Sequence, residues 1–89
     1  MKKYTVLIKK KCTKAIARLS EKDRYTLAKL IDSIEERGPV QPGFMNYSKL
    51  SNTEYHCHLS YHWVACWRCE DGKYLVEVYY VGSRESAPY

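Results

Sequence analysis

The sequence lacks the features of a membrane or secreted protein. No run of apolar residues reaches the eighteen that a membrane-spanning helix needs. The apolar stretch at residues 4–8 is too short for the core of a signal peptide, and no small-residue cleavage site follows it. Internal repeats and low-complexity segments are also absent from the sequence. We therefore expect a cytoplasmic protein with one domain over residues 1–89 and no membrane partner.

Without a secretion signal, the cysteines at positions 12, 57, 66 and 69 are expected to be free thiols in a reducing compartment. A zinc site is the alternative, because His56 and His58 form a chelating pair and Cys66 and Cys69 add two thiols. The sequence lacks a further Cys or His pair at zinc-finger spacing, and residues three apart in a regular strand point to opposite faces. We predict no metal and no other cofactor.

Acidic residues are in the minority, since 10 Asp and Glu accompany 15 Lys and Arg and the net charge is +5. This balance favours a polyanion such as RNA as the partner, and an acidic protein would also suit it. Three consecutive lysines follow the first apolar stretch, at Lys9, Lys10 and Lys11. They fit either a solvated turn or an edge that faces phosphates.

The first half of the chain predicts one strand and two helices. Residues 4–9 alternate in polarity, which is typical of a strand. Thr13 and Ser20 are candidate helix caps. The helix after Ser20 carries an apolar stripe with helical spacing over residues 27–34, and the Gly-Pro pair at 38–39 is expected to end it.

The second half predicts three strands. In residues 54–60, His56 and His58 share one face and apolar residues line the other. Another strand follows, and the Asp-Gly pair at 71–72 is a hairpin signal before the last strand. We expect the last strand to be mostly buried and to stop at Gly82. The fold class is therefore α+β, ordered β-α-α-β-β-β, with a helical hairpin packed on an antiparallel sheet.

The last strand is followed by polar groups, among them Arg84 and the terminal Tyr89. A buried strand that ends with an arginine and a tyrosine can hold a polar group at the rim of a sheet. We interpret this end of the chain as half of an RNA-handling site, with His56, His58 and His62 as the other half.

The element order and several short motifs resemble the RelE/ParE superfamily of toxins from bacterial type II toxin–antitoxin pairs. The resemblance covers nearly the whole chain. Its most specific part is the Val-Gly-x-Arg-Glu of the last strand together with a terminal tyrosine. The motifs are Lys49-Leu50, then YHCHL at 55–59, the segment 63–67, YVGSRE at 80–85 and APY at 87–89.

Similarity to the RelE-type members implies a metal-independent endoribonuclease, a hydrolase that cuts mRNA on the ribosome and so inhibits translation. In that family the 2′-hydroxyl of the RNA attacks the neighbouring phosphate. Basic residues on the second strand and at the start of the third act on the reacting groups. An arginine after Val-Gly and a tyrosine at the chain end complete the site. These positions correspond to His56, His58 and His62, to Arg84 and to Tyr89.

The chemistry of these side chains suits such roles. The two-residue spacing of His56 and His58 puts both on one strand face, and imidazole is an effective general base near neutral pH. The planar fork of Arg84 matches phosphate oxygens and stays charged. His62 is a candidate for the general acid or for a second phosphate contact, and the terminal tyrosine can stack on a base. We predict further RNA contacts by Lys9, Lys10, Lys11, Lys49 and Tyr61.

The resemblance also implies partners. A RelE-like toxin acts on the ribosome and its mRNA, and a cognate antitoxin holds it inactive in a hetero-oligomer. Two other classes remain open. A ParE-like inhibitor of DNA gyrase shares the fold but binds a protein and cuts no RNA, and a zinc- or nucleic-acid-binding module has no catalytic activity.

Overall fold

The computed structural model describes residues 2–89. Within them, the longest helix has 17 residues and a strongly charged side, and no helix is long and apolar enough to span a bilayer. Two helices follow the first strand, and four strands follow the helices. The elements are β1 (Thr5–Ile8), a 3₁₀ turn (Lys10–Cys12), α1 (Thr13–Arg18), α2 (Glu21–Arg37), β2 (Ser48–Lys49), β3 (Glu54–His58), β4 (Trp63–Cys69) and β5 (Leu75–Ser83).

The five strands form one sheet in the order β1-β5-β4-β3-β2. The predicted α+β class is confirmed, with two differences in the sheet. β1 pairs with β5 in parallel, so the sheet is mixed, and the two-residue β2 adds an antiparallel edge beside β3. β2, the first strand after the helices, runs opposite to β1. The antiparallel steps from β2 through β3 and β4 then bring β5 parallel to β1.

Both helices lie against one face of the sheet, and the main core lies between the helices and that face. The apolar stripe of α2 buries Leu27, Leu30 and Ile34 against side chains of β3, β4 and β5. Trp67 is fully buried, and its indole N–H donates to the carbonyl of Pro39 at 3.0 Å. A buried indole N–H needs an acceptor, and here the acceptor is the backbone directly after α2. The bond therefore holds the end of α2 against the centre of the sheet.

The ends of α2 are those the sequence predicts. The Ser20 hydroxyl accepts a hydrogen bond from the backbone N–H of Asp23 at 3.1 Å, which satisfies one of the free donors of the first turn. Gly38 ends the helix with a φ of +95°, a conformation that glycine adopts without strain. Thr13 is not a cap, because the 3₁₀ turn leads directly into α1 and no side chain caps that helix.

The predicted stop at Gly82 is wrong, because β5 continues through Gly82 to Ser83. The irregularity lies earlier in the strand. Cys66 pairs with Tyr80 and Trp67 with Val78, so β5 contains one extra residue between those pairs. Such a bulge shifts the alternation of side chains by one position. It places Val78 and Val81 on the helix side while Tyr80 points to the other side, beside Cys66.

Candidate active site

A row of side chains crosses the face of the sheet that the helices leave uncovered, which we call the helix-free face. Ser48 of β2 lies opposite His56 of β3, His56 lies opposite Cys66 of β4, and Cys66 lies opposite Tyr80 of β5. Directly opposite residues in antiparallel strands share a face. The predicted orientation of the two strand histidines agrees with this placement, since Tyr55 and Cys57 belong to the core on the helix side.

His56 is buried, with 6% of its surface exposed, and its orientation is fixed. Its Nδ1 and the Ser48 hydroxyl are 2.9 Å apart and share a hydrogen bond. Burial lowers the pKa of His56 below the usual 6.5, and the positive charge of a protonated His58 would act in the same direction, whereas a hydrogen bond to Ser48 opposes the shift. His56 is therefore a neutral imidazole at neutral pH, the form that can accept a proton.

The terminal tyrosine covers this histidine. The rings of Tyr89 and His56 are 4.4 Å apart between centroids and tilted by 49°. Burial raises the pKa of the Tyr89 phenol, and the positive charge of Arg84 opposes that rise. His58 is also buried, and its ring lies 5.7 Å from that of His56. His56, His58 and Tyr89 therefore form one group, which we call the histidine cluster.

A second group lies at the end of the sheet. The guanidinium of Arg84 lies over the ring of Tyr61 at 4.9 Å, and the ring of His62 meets the Tyr61 ring edge-on at 4.8 Å. The backbone N–H of Arg84 donates to the carbonyl of His62 at 2.8 Å, which ties the chain after β5 to the turn before β4. All three side chains are exposed. We call them the arginine cluster.

The two clusters lie toward the same rim of the sheet. His58 at the end of β3 lies opposite Val64 near the start of β4, and Val64 lies opposite Gly82 near the end of β5. The end of β3, the start of β4 and the end of β5 are therefore neighbours. The structure thus brings the five predicted catalytic residues to one end of the molecule, with two of the histidines buried and the third exposed on the rim.

The predicted lysine contacts are more dispersed. Lys49 lies opposite Tyr55, and its ammonium is 5.8 Å from the Tyr55 ring, so it points away from the histidine cluster. Lys9, Lys10 and Lys11 follow β1 along the outer side of β5, where the neighbouring Cys12 thiol lies 3.8 Å from the carbonyl of Val78. They are separated from the histidine cluster by β4 and β5.

The cysteines do not assemble a metal site. Cys66 lies on the helix-free face beside His56, whereas Cys69 belongs to the core on the helix side. Among residues 2–89, no group of three or more His, Cys, Asp or Glu side chains is placed to hold a metal ion. All four cysteines are buried free thiols, and burial raises the pKa of Cys57 and of Cys66 to about 12, which keeps both protonated.

Two residues of the site were not predicted. Ser48 holds His56, but a two-residue edge strand leaves no periodic pattern in a sequence. Tyr80 donates its hydroxyl proton to the carbonyl of Ser83 at 2.7 Å, directly before Arg84. A Cβ at Gly82 would lie only 2.7 Å from that hydroxyl oxygen, so the bond needs glycine there. The only sequence signal for this contact was a tyrosine two residues before the glycine, at Tyr80 and Gly82.

No protein-family model and no curated protein sequence matches the chain, but solved structures do. RelE in the archaeal RelE–RelB complex from Pyrococcus horikoshii is 16% identical with a TM-score of 0.75, over 96% of this chain and 99% of that chain. A free mutant of the Escherichia coli toxin RelE is 20% identical with a TM-score of 0.72, over 98% and 88%. A chain of the E. coli DinJ–YafQ toxin–antitoxin complex is 15% identical with a TM-score of 0.76, over 98% of this chain and 99% of that chain.

These matches, all at 20% identity or below, show that the chain has the fold of RelE-like toxin structures. More particularly, its fold is that of the RelE, YafQ and YoeB toxins over nearly its whole length. The resemblance predicted from the sequence motifs is confirmed at this level.

Proposed function

We propose that this protein is a toxin of the RelE type, an endoribonuclease that cleaves mRNA on the ribosome without a metal ion. The observation that carries the proposal is the state of His56. It is buried, it is held by Ser48, its pKa is lowered, and the tilted ring of Tyr89 lies against it, near the rim that also carries Arg84. A neutral imidazole can accept the 2′-hydroxyl proton, a cation can stabilise the charge on the phosphoryl oxygens, and an aromatic ring can position a nucleobase.

In the proposed reaction, His56 is the general base. When its Nδ1–H donates to the Ser48 hydroxyl, the lone pair on Nε2 is free to take the proton of the RNA 2′-hydroxyl. The 2′-oxygen then forms a bond to phosphorus as the bond from phosphorus to the 5′-oxygen breaks. The 5′-oxygen receives a proton and leaves, and a 2′,3′-cyclic phosphate remains on the other fragment.

The remaining roles follow from exposure and charge. Arg84 is exposed and always protonated, so its guanidinium can stabilise the charge that develops on the phosphoryl oxygens. His62 is exposed in the same cluster as Arg84, and we assign it the role of the general acid that protonates the leaving 5′-oxygen. His58 lies next to His56, the proposed base. Tyr89 and Tyr61 are assigned to base stacking, worth about 1–3 kcal/mol per base.

A cognate antitoxin is the proposed regulator. The P. horikoshii RelE structure contains RelB, and the E. coli YafQ structure contains DinJ. We extend this to the present chain because its fold matches those toxins over nearly their full length. The net charge of +5 favours binding both to an acidic antitoxin and to the ribosome.

The proposal is tested by mapping the 5′ ends of cellular mRNA within minutes of expression. We expect new ends inside translated regions, at positions that follow the reading frame. A copy of the same mRNA without a start codon should remain uncut, because the ribosome supplies much of the positioning. Absence of new ends, together with inhibition of gyrase in a supercoiling assay, would instead establish a ParE-like activity.

Tyr80 is predicted to position Arg84. Its hydrogen bond to Ser83 and the bond from Arg84 to His62 hold the peptide before Arg84 from both sides. Replacing Tyr80 with Phe should lower the kcat of mRNA cleavage about three- to tenfold with little change in KM, since one hydrogen bond of about 1 kcal/mol is lost.

A double-mutant cycle separates positioning from a general loss of stability. If Tyr80 acts through Arg84, Tyr80→Phe should have no further effect on kcat in a protein that already carries Arg84→Ala. An equal loss in both backgrounds would show that Tyr80 acts independently of the arginine.

A further inference from the structure

A cleft of about 670 Å³ lies between α2 and the loop of residues 40–45. Its helical wall carries Lys22, Lys29 and Arg37, all of them exposed. Their spacings of seven and eight residues are close to two helical turns, so the three side chains project from the same side of α2. At 1.5 Å per residue, the positive charges follow one another at about 10 Å and about 12 Å.

None of these charges is held in an ion pair within residues 2–89. The ammonium of Lys29 lies 5.5 Å from the ring of Tyr25, and Asp32 and Glu36 lie in an adjoining pocket that Lys29 and Arg37 also line. The described residues that line the cleft include no Asp or Glu. The cleft is therefore a line of cations suited to a ligand with regularly repeated negative charge.

The cleft shares one residue, His58, with the histidine cluster. That residue lines the cleft, and its ring lies 5.7 Å from that of His56. Its backbone N–H donates to the carbonyl of Met45 at 2.8 Å, which fixes the loop wall of the cleft to the end of β3. A ligand that extends from the histidine cluster to the cleft must pass round the end of β3 at His58, because α2 and the cluster lie on opposite faces of the sheet.

We propose that this cleft binds the phosphates of substrate nucleotides that flank the scissile bond. The inference rests on the proposed nuclease function, in which the ligand is a chain that must continue beyond the reacting nucleotide. A single strand has one negative charge per nucleotide and can follow the line of cations. An acidic protein segment would match the charges too, but the position of His58 in both the cleft and the histidine cluster favours the substrate strand.

The test uses 2′-O-methyl RNA, which cannot be cleaved because its 2′-hydroxyl is blocked. Binding of a 3-nucleotide and a 12-nucleotide probe is measured by fluorescence anisotropy between 50 and 200 mM salt. The triple variant Lys22→Ala, Lys29→Ala, Arg37→Ala should bind the longer probe at least about tenfold more weakly at 50 mM salt. The plot of the logarithm of its binding constant against the logarithm of the salt concentration should have a slope that is shallower by about 2. Each lost phosphate contact accounts for about 0.7 of this change for a single strand. Affinity for the short probe should be unchanged.

The matched control carries Lys14→Ala, Arg18→Ala and Arg24→Ala, three exposed cations outside the cleft, and removes the same net charge. It should bind both probes almost as the wild-type protein does. The probes cannot be cut, so the binding measurements do not depend on catalysis. The nuclease function is tested separately by a cleavage assay on the wild-type protein.

Three results would overturn the proposal. The first is equal weakening by the two triple variants, and the second is equal weakening of the two probes by the cleft variant. The third is a 12-residue poly-glutamate peptide whose binding depends on the three cleft cations while the binding of the long RNA does not. That outcome would make the cleft a docking surface for an acidic protein.

Discussion

Replacing Arg84 with alanine is expected to lower the rate of mRNA cleavage by about 10²–10³-fold, the loss that follows removal of one group that stabilises transition-state charge. Arg84 is the exposed cation at the rim toward which the two clusters lie, and its charge already reaches Tyr89, since it opposes the rise in that phenol's pKa. The rate is measured on ribosomes with a defined mRNA, and stability is measured by urea unfolding.

The fold should tolerate this change. The Arg84 side chain is exposed and contacts the Tyr61 ring, so its loss should cost at most about 1 kcal/mol of unfolding free energy. Arg84→Lys retains the charge but loses the planar fork and should fall between the wild-type protein and the alanine variant. Arg18→Ala, another exposed arginine, is the matched control. A fully active Arg84→Ala protein would remove the arginine from the mechanism.

The sequence predicted the elements whose signals are local. The α2 helix begins after Ser20 and ends at Gly38 because capping and a positive φ are properties of a few adjacent residues. The Asp-Gly turn between β4 and β5 also forms, with a φ of +76° at Gly72. The parallel pairing of β1 with β5 was not predictable in this way, because it joins residues 70 positions apart, such as Thr5 and Leu75.

The error at Gly82 has a specific physical cause. A glycine in a strand sequence is usually interpreted as a place where the strand weakens or bends. Here the missing Cβ leaves room for the Tyr80 hydroxyl to reach Ser83, so the glycine allows the strand to continue and fixes its end. The contact depends on the bulge that turns Tyr80 to the helix-free face, and the bulge has no signal in the residue pattern.

The candidate site was predictable in its side chains but not in its environment. Strand alternation alone places His56 and His58 together. It does not show that they are buried, because Tyr89 covers His56 from a part of the chain 33 residues away. The RNA contact predicted for Lys49 had no such basis, because the face of Lys49 is set by its register with Tyr55 in an edge strand that was not predicted. Burial is what lowers the pKa of His56, so the property that favours a general base appears only in the folded chain.

Replacing His56 with alanine is expected to lower cleavage by about 10²–10⁴-fold, the usual contribution of a general acid or base. Protonation of the base should not lower the wild-type rate as the pH falls through 6.5 and should lower it only at a lower pH, because burial lowers the pKa of His56 from that value. Below the lowered pKa the imidazole is protonated and can no longer accept the 2′-hydroxyl proton. The rate is followed from pH 5 to pH 8 under single-turnover conditions.

The same pKa shift has a consequence for stability that does not depend on catalysis. Since the folded protein binds this proton less readily than the unfolded chain, the contribution of His56 to stability is complete above pH 6.5 and is lost as the pH falls below it. The His56→Ala protein should lack this loss and should also lack the decline in residual cleavage rate at low pH. If the decline persists at the same pH without His56, another group is the base.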